Sequence, residues 1–388
     1  MTPGKAVVNR KGETRIQRRH PWVFRSDVPR VSDAEPGTVV RVEGPRGRTL
    51  GFAFYSDRSE ITLRMIGFGE TLSADFLGER LRAAIAWREV IAPGARACRL
   101  VHGEGDGLPS LIVDRYGDYL VIQTLSQAAD RLKPQLVAAL LELLQPKGIL
   151  ERNDPRVRRL EGLEQMTGLL HGEVPATVVV DEDGVRFEAD LWKGQKTGLF
   201  LDQRENHLMA RRYARGRVLD AFTYNGGFGL HAAPRAESVL AVDVSKDAVE
   251  RVRTNATLNG LTNVEAVEAN VFDLLQERVR AGERFSTVIL DPPAFAKSKD
   301  AVEKARRGYK EINLRALKLL EPGGCLITCS CSYHVHEDEL EQILAAAAVD
   351  AGSSVAVVEK RRQARDHPVV LGVPETYYLK CFVLRKLA

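Results

Sequence analysis

Residues 218–233, VLDAFTYNGGFGLHAA, decide the fold. A short apolar run ends in Asp220, turns through Asn225, Gly226, Gly227 and Gly229, and continues at helical spacing. Strand, glycine turn and helix in that order open a doubly wound sheet, in which ligands sit at the carboxyl ends of the strands. Glycines in such a turn let the backbone approach a ligand closely. A single turn of this kind is a weak signal, so its surroundings carry the reading.

Downstream the alternation repeats. VLAVDVS (239–245), NVEAVEAN (263–270), FSTVILDPP (285–293) and CLITCS (325–330) are short runs rich in Val, Ile and Leu, separated by helical stretches such as 246–259 and 301–320. The pattern predicts an α/β domain with a parallel sheet covered by helices on both faces.

Upstream the character differs. The first 70 residues read as short β segments, with PGTVVRVEGPRGRTLGFAFY (36–55) as a hairpin, and a small β-barrel or half-barrel fits them. Residues 73–91 have helical spacing with Ser73 as a cap, followed by two strands joined at Tyr116-Gly117-Asp118, a helix at roughly 130–145 and a strand at 148–154. A further hairpin over 174–191 turns at Asp183-Gly184. Three domains are expected: 1–70, 71–190 and 191–388.

The 388 residues are 44% hydrophobic and 28% charged, which suits a globular chain rather than a disordered one. With no signal-like apolar segment at the N-terminus and no long apolar run, membrane spanning is not expected and the cytoplasm is the expected location. The five cysteines, an odd and clustered set, are expected reduced. Positive charge concentrates in residues 5–30, where Lys5, Arg10, Lys11, Arg15, Arg18, Arg19, His20, Arg25 and Arg30 face only Glu13 and Asp27. Such an excess can neutralise phosphates, or it can be a solvated face without a partner.

The strand ends suit a nucleoside ligand. Asp243, about 17 residues beyond the first glycine, is placed to take both ribose hydroxyls. That alone suits NAD equally, but the turn reads NGGFG rather than G-x-G-x-x-G, and Asp220 can meet the cationic amino group of a methionine tail. S-adenosylmethionine is therefore the expected cofactor, with Phe222, Tyr224, Asn225, Gly226 and Gly227 of the turn around it. Asn270 and Val271 fall at the third strand end, within reach of an adenine. KGQKTGLFLDQREN (193–206) supplies Gln195, Lys196 and Thr197 for the methionine end, with Asp202 and Arg204 either in the same site or paired with each other in a following helix.

Chemistry is expected at strands four and five. In LDPPAF (290–295) paired prolines hold an extended backbone, so Asp291 can bond a planar nitrogen base and Phe295 can stack on it. LITCSCSYHVHEDEL (326–340) offers Cys329 and Cys331, which share a face if both stay in strand geometry. Carbon 5 of cytosine becomes nucleophilic only after something adds to carbon 6, and Cys329 is the candidate thiol for that addition. Burial as small hydrophobes is the competing reading of the pair, and the expected one for Cys325 and Cys381. Cys329 and Cys331 with His334 and His336 lack the spacing of a zinc site, so no metal is expected.

KTGLFLDQREN, FTYNGGFGLHAA, LDPPAF, TCSCS and DHPV…PETYYLK (366–380) together resemble, from end to end, the bacterial family of 23S ribosomal RNA cytosine-C5 methyltransferases that begin with a PUA-type domain. The resemblance implies a PUA-type RNA-binding β-barrel, a central α+β domain and a Rossmann-like class I methyltransferase domain. It implies 23S ribosomal RNA as partner, with a second copy of the chain as a further candidate partner. It assigns the nucleophile to the TCS portion, hence to Cys329 rather than Cys331. It also gives Arg18, Arg19 and Arg25 weight as phosphate contacts, while Trp22 and Phe24 remain candidate core residues. Two departures stand: a cysteine common after the strand-four acid is replaced by DPPAF, leaving the proton-abstracting base unassigned, and Asn270 replaces an acid. Two alternatives remain. One is a guanine-N7 ribosomal RNA methyltransferase, which shares DPPxF and needs no thiol. The other is a non-catalytic RNA-binding assembly factor.

Overall fold

The computed structural model describes residues 3–295 and 302–387; residue 301, the expected start of a helix, lies outside the described residues. The chain forms two compact units: Met1–Val180 with Ala189–Leu199 and Arg365–Thr376, and Asp181–Glu188 with Phe200–Ala364 and Tyr377–Ala388.

The first unit contains a six-stranded sheet formed within residues 4–68, in which Val39–Glu43 and Thr49–Tyr55 make the antiparallel hairpin that alternation predicts. Val23, Val40, Val42, Ala53 and Leu63 fill its core. A second sheet has five strands, Ala97–His102, Leu111–Tyr116, Tyr119–Thr124, Gly148–Asn153 and Met166–Gly172. Two of these, Ala97–His102 and Met166–Gly172, are additional to the sequence reading. The helix expected from Ser73 begins instead at Phe76, with Asp75 at its cap, while the Ser73 hydroxyl accepts from the Asp75 N–H and donates to Glu79.

One ion network ties distant parts of this unit together. Arg88, fully buried, forks onto Asp106 at 2.6 and 2.7 Å and donates to the Asp366 carbonyl at 3.0 Å, while the Asp366 carboxylate accepts from the Arg99 N–H at 2.9 Å. A buried arginine is tolerated where every donor finds an acceptor of this kind.

The second unit carries the sheet of interest. Its strands are β1 (Arg217–Ala221), β2 (Ser238–Asp243), β3 (Val264–Glu268), β4 (Phe285–Leu290), β5 (Leu320–Ser330), β6 (Val355–Arg362) and β7 (Lys380–Lys386), in the order β3-β2-β1-β4-β5-β7-β6. The first five run parallel; β7 is antiparallel to both β5 and β6. The helices are α1 (Arg204–Tyr213), α2 (Gly227–Ala232), α3 (Lys246–Leu258), α4 (Val271–Arg280), α5 (Val302–Leu319) and α6 (Glu337–Asp350). Successive residues feed opposite layers: Val288 and Leu290 pack with Tyr309 and Ile312, whereas Ile289 packs with Ile327 and Val383 on the other face. Burial on both faces explains why these strands read as continuous apolar runs rather than alternating ones. Among the described residues no helix is long and apolar enough to cross a membrane.

Candidate functional site

The carboxyl ends of β1, β2, β4 and β5 lie along one edge of the sheet, and the polar groups there are held by backbone and by neighbouring side chains. After β1 the chain takes left-handed conformations at Phe222 (φ 64°), Tyr224 (φ 52°) and Gly226 (φ 90°). For the two aromatic residues this is strained by roughly 1–3 kcal/mol each, a cost met where surrounding structure over-determines the backbone. Thr223 N–H bonds to the Val242 carbonyl at 3.0 Å, and Gly226 N–H to the Thr223 carbonyl at 2.9 Å. Gly227 is required by packing, since a Cβ there would lie 2.5 Å from the His207 ring.

Asp220 ends up buried inside this turn. Its Oδ2 accepts from the Thr223 hydroxyl and the Gly229 N–H, while Oδ1 has no partner among the described residues. Burial pushes its pKa up to about 6, with Asp243 adding to the shift and Thr223, Gly229 and His207 opposing it. A buried carboxylate oxygen without a donor is costly, so a cationic ligand group suits it. Asp243 closes β2 with one oxygen on the Tyr224 N–H and the other on the Ser245 N–H, each at 2.9 Å. Both oxygens keep lone pairs for hydroxyl donors. These features fit an aminoacyl nucleoside.

Other expected contacts have local duties. The Asn270 side-chain oxygen accepts from Phe272 N–H at 2.9 Å and caps α4, a reason for asparagine that needs no adenine. Val271 is buried in the core. Asp202 accepts from Tyr378 Oη at 2.8 Å, and Arg204 reaches Asp183 at 3.3 Å. The Asn225 carbonyl accepts from Asn255 at 3.1 Å. Gln195, Lys196 and Thr197 belong to the first unit, where the buried Thr197 hydroxyl lies 2.8 Å from Tyr116 Oη and 2.7 Å from Asp114.

At the chemical end, Asp291 follows β4, and its Oδ1 accepts from Gln203 Nε2 at 2.9 Å. Gln203, buried, in turn accepts from Asn206 at 2.7 Å. It lies inside the polar stretch singled out from sequence, yet its role depends on a partner 88 residues away. Replacing Gln203 by alanine is expected to lower unfolding free energy by about 1–2 kcal/mol, because the bonds to half-buried Asp291 and from buried Asn206 are both lost. Urea titration measures this, and an unchanged midpoint contradicts it. Phe295 packs against Tyr309 with ring centroids 4.7 Å apart.

The two cysteines part company at the end of β5. Cys329 is 0% exposed and packs with Ile289, Ile327 and Cys381. Burial, then the neighbouring Cys381 and the Asp291 charge, hold its thiol well above the ordinary range against an opposing bond from Gln203. A thiol so buried and held neutral is poorly placed for the attack expected of Cys329. Cys331 lies beyond the strand, half-buried, with Sγ 3.9 Å from the Pro292 carbonyl. Tyr309 Oη bridges Ser330 (3.0 Å) and Ser332 (2.9 Å) on either side of it. Cys325 and Cys381 are buried, as expected.

Among the described residues, the group placed to hold a metal is not the cysteine–histidine set but buried Glu182, His207 and His231. His207 Nδ1 is hydrogen-bonded to Glu182 Oε1 at 2.7 Å, and His231 Nε2 lies 3.3 Å from the same oxygen. Burial opposes both charges, yet their attraction wins: Glu182 falls below and His207 rises above the ordinary range.

In the first unit Arg18 and Arg19 are exposed just after the helix Arg10–Gln17, with Arg19 4.8 Å over the Phe68 ring. Arg25 donates to the Asp57 and Ser59 carbonyls at 2.9 and 3.0 Å. Trp22 and Phe24 are half-buried, and the Trp22 indole bonds Glu104 at 2.9 Å.

Comparison with known proteins agrees with this geometry. Residues 155–384 match the S-adenosylmethionine-dependent methyltransferase family, and residues 6–68 match a PUA-like domain. A ribosomal RNA large subunit methyltransferase I from Shewanella denitrificans is 42% identical over 384 residues, covering 96% of this chain and 97% of its own. One from Photobacterium profundum is 43% identical over 381 residues, covering 95% and 96%. The crystal structure of SMU.776, described as a methyltransferase complexed with SAH, superposes with a TM-score of 0.84 at 22% identity, covering 99% of this chain and 100% of its own. It shares the class I methyltransferase fold.

Proposed function

The chain belongs to the ribosomal RNA large subunit methyltransferase I family of S-adenosylmethionine-dependent enzymes, and from that premise we propose that it methylates carbon 5 of a cytosine in 23S ribosomal RNA through a covalent adduct of Cys331. The observation that carries this reading is the thiol of Cys331 at the mouth of β5, beside the Asp291-Pro292 backbone and the Phe295–Tyr309 pair.

S-adenosylmethionine, when bound, supplies an electrophilic methyl group. Asp220 takes its ammonium, Asp243 its ribose hydroxyls, and the turn from Phe222 to Gly227 lies along it. Asp291, oriented by Gln203, accepts a hydrogen bond from the target base, and Phe295 offers a stacking face to it. Cys331 sulfur forms a bond to carbon 6 of cytosine, which makes carbon 5 nucleophilic. After methylation, loss of the carbon 5 proton to a base expels the thiolate.

RNA carrying 5-fluorocytidine at the target tests the reading, because fluorine cannot leave as a proton and the adduct persists. A denaturation-stable protein–RNA complex that requires S-adenosylmethionine and Cys331 is expected. Its absence, with 7-methylguanosine in the product instead, sinks the proposal in favour of the guanine-N7 branch. Arg18 and Arg19 are proposed as phosphate contacts. Each alanine replacement is expected to reduce the slope of log affinity against log salt by about 1, with little effect on which nucleotide is modified. Binding measured across salt concentrations decides this.

A further inference from the structure

A buried lysine brackets Cys331 from the neighbouring strand. Lys380, the first residue of β7, is 2% exposed and stands in register with Ser330, the residue before the cysteine. Its Nζ donates to the carbonyl of Ser332, the residue after the cysteine, at 2.7 Å and to that of Tyr378 at 3.1 Å. An ammonium carries three protons, so these two carbonyls leave one for another acceptor. Burying a charged lysine is costly unless something nearby uses the charge. Tyr309 fixes the same short segment from α5 through Ser330 and Ser332.

We propose that Lys380 is the positioning residue that keeps the Cys331 sulfur ionised, the two side chains forming a thiolate–ammonium pair before RNA arrives. The inference rests on Cys331 being the attacking thiol. The step is a single proton loss: the S–H bond of Cys331 breaks, its proton leaves to water, and the electron pair stays on sulfur beside the Lys380 ammonium. Burial lowers the lysine pKa to about 8, against the pull of Cys331, Glu337 and Glu339, so the amine is still mostly an ammonium at neutral pH. Among the described residues, the charged and titratable groups that act on Lys380 or on Tyr309 beside it are Glu337 and Glu339 from α6 and Cys331 itself. The two carboxylates favour the ammonium and oppose the thiolate. Tyr309 stays neutral, since burial, with a contribution from Cys331, raises its own pKa. Lys380 brings a positive charge to the backbone on either side of Cys331, and the sulfur in turn helps to raise the lysine pKa.

Alkylation of Cys331 by iodoacetamide in the full-length protein, followed by mass spectrometry across pH, tests the pairing without methyl transfer. The wild type is expected to inflect below the ordinary thiol value, and Lys380→Met to inflect about 1–3 pH units higher, with alkylation near neutrality slowed about tenfold or more. An unchanged profile in a folded Lys380→Met protein overturns the proposal. Should that variant not fold, the thiolate absorbance of wild type minus Cys331→Ser is titrated instead, and an inflection at or above the ordinary thiol value overturns it. Full methyl transfer by Cys331→Ala sinks the parent reading, whereas an inactive Cys331→Ala with an unshifted alkylation profile sinks only the role of Lys380.

Discussion

Replacing Cys331 by alanine is expected to abolish methyl transfer, a loss on the order of 10⁴-fold or more, as removal of a nucleophile does in other covalent enzymes. Affinity for S-adenosylmethionine is expected to stay nearly unchanged, because the groups proposed to hold it sit on β1 and β2. Cys329→Ala is the internal control. It removes a sulfur from a packed core among Ile289, Ile327 and Cys381, which lowers stability by roughly 1–2 kcal/mol while methyl transfer persists. Single-turnover rates with radiolabelled methyl donor separate the two variants. The reverse pattern, with Cys329→Ala inactive and Cys331→Ala active, excludes the assignment made from burial.

The second large effect is at Asp220. Asp220→Asn is expected to weaken S-adenosylmethionine binding by about 10–100-fold, since a charge-assisted bond to the ligand ammonium becomes a neutral one. The ligand-free protein should move the other way and become more stable at neutral pH. The folded carboxyl titrates at about 6, above an unfolded value near 3.9, so between those values the folded state holds the extra proton. Stability contributed through this group therefore falls as pH rises from about 4 to 6, and asparagine removes that dependence. Cofactor affinity of the wild type runs opposite, declining as pH falls through about 6 because the ammonium needs the ionised form. Calorimetric titrations on both sides of that pH, with thermal melts of both proteins, check the two signs. Equal affinities for wild type and variant at neutral pH would falsify the role given to Asp220.

Much of the second unit was legible because strands buried on both faces leave continuous apolar runs, and the turn glycines announce where each strand ends. The insertion of β7 between β5 and β6 was not legible, since strand order is a long-range property that local pattern does not encode. Met166–Gly172 escaped for another reason: it is largely exposed, with no alternation to mark it. The cysteines show the limit most clearly. A two-residue spacing implies a shared face only while both residues stay in the strand, and β5 ends at Ser330. Asp220, Asp243 and Asp291 were recognisable from their positions at strand ends. Gln203 and Lys380 were not, because each matters through a partner far away in sequence.

The bonds from Arg88 and Arg99 to Asp366 also bear on how the molecule is made. Synthesis proceeds at about 5–20 residues per second, and N-terminal domains ordinarily fold as they emerge. Here the first unit includes Arg365–Thr376, which follows Phe200–Ala364 of the second unit, so this segment leaves the ribosome only after strands β1 to β6 have been made. Until then Arg88 and Arg99 lack the bonds they make to Asp366. The first unit is begun before most of the second is made and completed only after it.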